Sequence, residues 1–323
     1  MRMRQQRGVA VVTALLLTTL AVTIVASLFW QQQVQVRSME NQRLQLQTRW
    51  ILRGALDLSR LVLYQDFLDS PNLTQLNGIW ATPLEETRLD DYIERERAEA
   101  ENFNATLSGK MIDAQSRYNL ANLSAQKQVD QKQMEVFKRL LVNLQLDSNL
   151  AQAVANQVAG SQAVLGQAAV PGVPQPQQQS ASGPQPMELV RVEDLLAVSG
   201  FAPQAIERLR DFIIILPSAA PTPVNVNTAP AELLAALVDK LSLSDAAAIV
   251  NNRKRIYFLN PAGFTNLPQL TAASLRPEVP FDVKSSYFLA YSRVRLDRAA
   301  LDTQALLSRA GNGVTSVAWI REN

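Results

Sequence analysis

Residues 7–30, RGVAVVTALLLTTLAVTIVASLFW, open on one arginine and then carry no charge; the next charged side chain is Arg37. From Val9 to Trp30 every residue is apolar or hydroxylic, and about 20 helical residues cross a hydrocarbon layer of roughly 30 Å. Arg2, Arg4 and Arg7 precede the run, so the positive-inside bias predicts a cytoplasmic N-terminus with everything after Gln31 on the far side. A cleaved secretory signal wants a shorter apolar core and a small-residue cut site. Ile24-Val25-Ala26 is a poor one, and the run reads as a single-pass anchor.

The chain has 323 residues and is 47% apolar, enough for two cored domains. Its 31 basic and 29 acidic residues leave a formal charge of +2, which gives no electrostatic reason to expect nucleic acid. Cysteine and histidine are absent. That excludes thiol nucleophiles, disulfides, Cys/His zinc sites and every imidazole-dependent triad.

Beyond the apolar run a helical pattern continues through Leu44, Trp50, Ile51, Leu58 and Leu61, with no proline before Pro71. It predicts one long helix that leaves the membrane and docks on a domain. Gly54 within it costs about 1 kcal/mol relative to alanine. Residues 79–102 read as a loop and then a solvated, mixed-charge helix face. Residues 103–120 read as strand, turn at Gly109, and strand. From Val129 to Ala159 the pattern is helical, with Met134, Phe137, Leu140, Leu141 and Leu144 on one side. Residues 166–186, GQAAVPGVPQPQQQSASGPQP, are too poor in apolar side chains to order themselves.

Residues 188–260 read as pairs of short helices, Val192 to Val198 and Pro203 to Phe212, then a second pair after VNVNTAPAELLAAL at 224–237. Thr228 is the expected N-cap, Pro230 sits in the first turn, and Leu233, Leu234 and Leu237 form the buried stripe. Ser244 and Asp245 open the next helix. The period then changes: residues 286–296 place Phe288, Ala290, Ser292, Val294 and Leu296 on one face, as a half-buried strand requires. A strand at 299–309, a turn at Gly311-Asn312-Gly313 and a last strand around Trp319 follow. Together with a strand at 103–113 these predict an α+β fold: a four-stranded antiparallel sheet under a long helix, with the helical block inserted.

Two motifs invite chemistry. Ser124-Ala-Gln-Lys127 matches the S-x-x-K of penicillin-binding enzymes, without the accompanying K-T-G or S-D-N. The paired helices suggest a SAM-like or helix-hairpin-helix unit, but their turns lack the two-glycine hairpin that would face phosphate. Arg253-Lys254-Arg255 reads as a solvated helix end.

Gly8, between a basic leader and the apolar run, resembles the last leader residue of a type IV prepilin, with Val9 the first mature residue. Most such proteins carry Glu at mature position five; here that position is Thr13. Several stretches together resemble the K-type minor pseudopilin of the type II secretion system: the leader, Trp80-Ala81 with Pro83-Leu84, DAQSRYNLANL at 113–123, VNVNTAPAELLAAL, SSYFLAYSRVRL and the terminal SVAWIRE.

The resemblance implies a type IV pilin-like fold: leader 1–8, membrane segment 9–30, pilin helix and first strands 31–122, inserted helical domain 123–281, and C-terminal strands 282–323. It implies a non-enzymatic subunit, cut by the prepilin peptidase, that caps the pseudopilus tip with the I and J subunits. H, the major pseudopilin G and the inner-membrane secretion platform are its further partners. It gives Thr13 a meaning too, since a Glu there is thought to pair with a neighbour's amine and a tip subunit has no neighbour ahead. Calcium has been associated with the family's helical domain through an acidic stretch. Residues 166–186 hold no carboxylate in its place, and hard cations want six to eight oxygens, so no metal ligands are named. The competing reading is a bitopic envelope protein whose helix-hairpin units bind DNA.

Overall fold

The computed structural model describes residues 7–89, 104–162, 186–218 and 220–322. A single helix spans Arg7–Asp69, 63 residues. A 3-10 turn at Ile79–Ala81 buries Trp80. The strands are β1 (Leu84–Arg88), β2 (Ala105–Asp113), β3 (Tyr118–Asn119), β4 (Ser124–Ala125), β5 (Gln128–Val129), β6 (Ile213–Ile214), β7 (Val224–Asn225), β8 (Phe281–Asp282), β9 (Tyr287–Leu296), β10 (Ala299–Arg309) and β11 (Thr315–Glu322). Five of them form one sheet in the order β1-β2-β9-β10-β11. Every described α-helix after the first lies between β2 and β9 in the chain.

By packing, the chain divides into two units. One draws on Met1–Ala55, Glu86–Leu107 and Arg293–Leu301, the other on Leu56–Glu85, Ser108–Ser292 and Asp302–Asn323. In the first, Arg298 holds Glu40 (3.3 Å) and the Asn41 side chain (2.9 Å), and Thr106 donates to Glu86 (2.8 Å).

The second unit holds the cores. On β9, Phe288, Ala290 and Ser292 are buried as the alternation predicts, and the Phe288 ring meets Trp80 edge-on at 5.3 Å. On the other side Leu289 and Leu306 pack with Ile214 and Leu216 of the helical block. That block has its own core. Met134, Phe137, Leu140 and Leu141 of the helix Gln131–Asn143 meet Leu233, Leu234 and Leu237 of Ala231–Leu237, and Tyr118 stacks on Phe137 at 5.6 Å.

Several expectations need correcting. The sheet has five strands, not four: β1, LEETR, falls in the stretch read as loop and helix because its charges hide an edge strand with only one partner, where side chains stay exposed. Residues 90–103 lie outside the described residues. Gly109 makes no turn, because β2 runs straight through it; a Cβ there would sit 2.7 Å from the Tyr291 carbonyl oxygen, so the glycine marks a close approach of backbones. The helical stretch 129–159 is two helices, Gln131–Asn143 and Leu150–Ser161, parted where Gln145 adopts φ 57°. Val192–Ala197 is a 3-10 segment, and Pro203–Leu209 ends earlier than read.

Candidate functional site: a helix with two apolar faces and a buried polar knot

The apolar half of the long helix has a mean hydropathy of 2.3 over its best 18 residues, none of them buried. Its polar atoms are satisfied locally: the hydroxyls of Thr13, Thr18, Thr19 and Thr23 each donate to the carbonyl three residues back, at 3.0, 2.9, 2.9 and 2.8 Å. Thr13 thus brings neither charge nor an unmet donor into the apolar segment. Gly8 and Val9 lie in the helix's first turn.

Past the apolar half the helix turns two faces. Thr48, Leu52, Ala55, Leu56, Leu63 and Asp66 are buried. At 100° per residue the opposite side carries Met39, Leu46, Trp50, Leu61 and Leu68, exposed by 61, 58, 66, 64 and 55%. Of the sequence pattern, Trp50 and Leu61 lie on the outward stripe, Leu44 and Ile51 are half-buried beside the docked face, and Leu58 is exposed between the two. Both faces have helical period, and periodicity alone does not say which one meets the sheet.

The second feature joins segments far apart in the chain. Asp113, 1% exposed, ends β2. Its Oδ2 accepts from the Ser285 hydroxyl (2.7 Å), the Thr228 hydroxyl (2.6 Å) and the Asn225 amide (2.9 Å); its Oδ1 accepts from the Gln115 backbone N–H (2.8 Å). Burial still pushes this carboxyl above its usual range, the four donors opposing. Asn225 also donates to the Thr74 carbonyl (3.1 Å) and the Ser285 hydroxyl (2.9 Å). Thr74 Oγ1 accepts from Arg309 Nη2 (3.0 Å), and Arg309 Nη1 meets Asp66 Oδ2 at 2.9 Å, with side chains 1 and 7% exposed. Arg309 donates further to the carbonyls of Leu63 and Ser285 and lies over the Phe288 ring at 4.7 Å.

Three of the stretches that carried the family resemblance thus meet here: DAQSRYNLANL through Asp113, VNVNTAPAELLAAL through Asn225 and Thr228, and SSYFLAYSRVRL through Ser285. Thr228 is not the N-cap expected of it. That position falls to Pro230, and the Thr228 hydroxyl turns to Asp113 because a buried carboxylate is the stronger acceptor. Asp66 and Arg309 escaped sequence reading altogether; the only signal was a lone carboxylate and a lone guanidinium at inward positions of a helix and a strand. The knot is enclosed and ties together segments far apart in the chain.

The chemistry-bearing motifs resolve into structure. Ser124 and Gln128 belong to the β4–β5 hairpin, whose turn residues Gln126 and Lys127 both have positive φ, 52 and 64°. The Ser124 hydroxyl is held by the Gln128 carbonyl (2.9 Å) and Gln162 Oε1 (3.1 Å). Arg253 is not solvated as expected: it is 7% exposed, its Nη1 donates to the Val226 carbonyl (2.7 Å), and burial brings its pKa down to about 10. Lys254 and Arg255 alone of that run face solvent. Among the described residues no three carboxylates come together in a way that could hold a cation. The expectation for residues 166–186 lies outside the described residues, save for Pro186.

Comparison with known proteins follows the same lines. Two profiles of the family described as type II secretion system (T2SS), protein K match residues 116–218 and 224–284, together about half of the chain. Relatives named type II secretion system protein K include one from Aeromonas hydrophila, 28% identical over 94% of this chain and 92% of its own length. Another, from Pseudomonas aeruginosa, is 28% identical over 96 and 91%. Among solved structures, the GspK-GspI-GspJ complex of the type 2 secretion system of enterotoxigenic Escherichia coli holds a chain with the same fold. The match has a TM-score of 0.65 and 17% identity, covering 89% of this chain and 99% of that one.

Proposed function

The chain belongs to the type II secretion system protein K family, a minor pseudopilin, and from that premise we propose that it ends the pseudopilus, seated there with the I and J subunits. The observation that carries this reading is the helix with two apolar faces. One face is used within the chain; the other, from Met39 to Leu68, is exposed over about 45 Å at 1.5 Å per residue. A stripe of that length is of the kind that sister helices cover. The fold's likeness to a chain of the GspK-GspI-GspJ complex supports I and J as the subunits that cover it.

In this mechanism Arg2, Arg4 and Arg7 keep the N-terminus cytoplasmic, the prepilin peptidase cuts between Gly8 and Val9, and Thr13 stands where a repeating subunit would need a carboxylate. The segment to Trp30 anchors the subunit in the inner membrane and then joins the filament core.

Intact mass of the membrane-extracted chain tests the processing step: loss of residues 1–8 in the presence of prepilin peptidase is expected, and an uncut Met1 or a cut near Ala26 refutes it. Assembly is tested by Leu61→Glu on the outward stripe. Co-purification with I and J should be lost while the melting temperature stays within about 2 °C, since exposed positions change stability by under about 0.5 kcal/mol. Retained co-purification overturns the assembly reading.

A further inference from the structure

The turn between the helices Leu243–Arg253 and Pro261–Thr265 belongs to neither the anchor nor the knot. It carries Ile256 and Leu259, 79 and 71% exposed, more than any other large apolar side chain among the described residues of the second unit. That exposure is built in. Between them Phe258 is buried: its N–H donates to the Asn227 side-chain oxygen (2.8 Å), the Asn227 amide donates back to the Phe258 carbonyl (2.9 Å), and its ring meets Phe264 edge-on at 5.6 Å. Just ahead of the turn, Arg253 is buried on the Val226 carbonyl. Clamped at Arg253 and Phe258, the turn holds two aliphatic side chains out in water, where the favourable term of burial is forgone. Lys254 and Arg255 stand beside them, exposed, and neither pairs with a carboxylate among the described residues; the Lys254 ammonium meets only the Asn251 side chain, at 3.3 Å. From Ala246 to Pro277 the sequence contains no Asp or Glu.

Protruding aliphatic tips flanked by unpaired cations suit a partner that offers hydrocarbon behind a layer of negative charge. A bilayer containing anionic phospholipid has that structure: its acyl region takes in the aliphatic tips, while long cationic side chains keep their heads among the phosphates. Being fluid, it needs no groove shaped to the turn. Nucleic acid answers only half of the feature, because a phosphate backbone is held by Lys254 and Arg255 but gains nothing from Ile256 and Leu259. We propose that this turn docks on an anionic phospholipid surface, with Ile256 and Leu259 entering the acyl layer and Lys254 and Arg255 at the phosphates. The inference stands on the turn alone and depends neither on the N-terminal anchor nor on where the subunit sits in a filament.

The test uses the full chain with its anchor held in a nanodisc of neutral phosphatidylcholine, mixed with separate vesicles and read by flotation at about 0.05 and about 0.5 M salt. Vesicles with about one third phosphatidylglycerol should capture it at least about tenfold better than pure phosphatidylcholine ones, and lose most of that advantage at high salt. Lys254→Gln and Arg255→Gln should each lower the partition coefficient about fivefold, and Ile256→Ser and Leu259→Ser each by about fivefold or more. All four positions are exposed, so these variants should fold as the parent does, and Lys132→Gln, exposed on another helix, should leave capture unchanged. The chain has no cysteine, so Ile256→Cys can carry a single environment-sensitive fluorophore, which should brighten on anionic vesicles and be quenched by acyl-chain doxyl lipid. Equal capture by phosphatidylcholine overturns the proposal, as does a loss in Lys132→Gln equal to that in Lys254→Gln, or a fluorophore out of reach of the doxyl quencher. So does capture that survives both serine replacements, which would make the turn a general polyanion surface, open to nucleic acid.

Discussion

Removing the carboxylate of Asp66 should be the most damaging conservative change in the chain. Asp66 and Arg309 lie 2.9 Å apart with side chains 7 and 1% exposed. At an effective dielectric of about 20 their gross attraction is about 6 kcal/mol, and the cost of desolvating two ions consumes much of it. Asp66→Asn keeps the shape but leaves the Arg309 charge buried. Its remaining partners are neutral, the Leu63 and Ser285 carbonyls and the Thr74 hydroxyl. An uncompensated buried charge costs about 3–5 kcal/mol, which for a domain of this size lowers the melting temperature by roughly 6–20 °C. Arg309→Met should be milder, because burial already pushes the Asp66 carboxyl upward, and it can shed its charge by taking a proton. The double variant Asp66→Asn/Arg309→Met should recover much of the loss. Thermal and urea denaturation of the full chain in detergent would be followed by circular dichroism and by the buried Trp80, whose ring meets Phe288 while Arg309 covers Phe288 from another side. A cost below about 1 kcal/mol for Asp66→Asn, or a double variant no better than the sum of the singles, would refute the reasoning.

Other outcomes follow from the same geometry. Gly313→Ala should lose about 2–4 kcal/mol in a melt, since φ is +85° and a Cβ would strike the Phe67 ring, whereas Gly311→Ala, with open space around it, should be near neutral. Asp113→Asn should cost about 1–3 kcal/mol at neutral pH, because the amide cannot accept from all four donors that the carboxylate satisfies. It should also flatten the acid side of a stability profile. A folded carboxyl with a raised pKa contributes stability that is present below the ordinary carboxylate range and is lost as pH rises through the raised value, and urea midpoints between those limits would show it. Gly109→Val should impair folding and lower the yield of soluble detergent-extracted protein, as its first side-chain atom would lie 2.7 Å from the Tyr291 carbonyl oxygen.

How much of this was legible in the sequence depended on whether a residue's role was local. β9 read correctly because Phe288, Ala290, Ser292, Val294 and Leu296 share one buried face, and β10 and β11 because the Gly311-Asn312-Gly313 turn marks the hairpin between them. Leu233, Leu234 and Leu237 read correctly for the same reason at helical period. β1 was illegible because an edge strand with an exposed, charged LEETR sequence obeys no such constraint. Arg253 was misread because burial of a guanidinium on a single carbonyl leaves no trace in spacing. The knot was half legible. Asp113, Asn225 and Ser285 lie in stretches whose resemblance to a family marked them, yet their meeting depends on contacts 112 and 172 residues apart in the chain.

Those separations have a consequence for biogenesis. Synthesis from the N-terminal end delivers Asp66 long before Arg309, 243 residues later, and loop closure over such spans is slow beside helix formation. Until β10 arrives, the base of the long helix holds an unanswered carboxylate and both of its apolar faces are bare. The ion pair cannot form before β10 is made, so a truncated or stalled copy lacks the lock that fixes its helix. The knot thus works as a completeness check, written in electrostatics, on the folding of each copy.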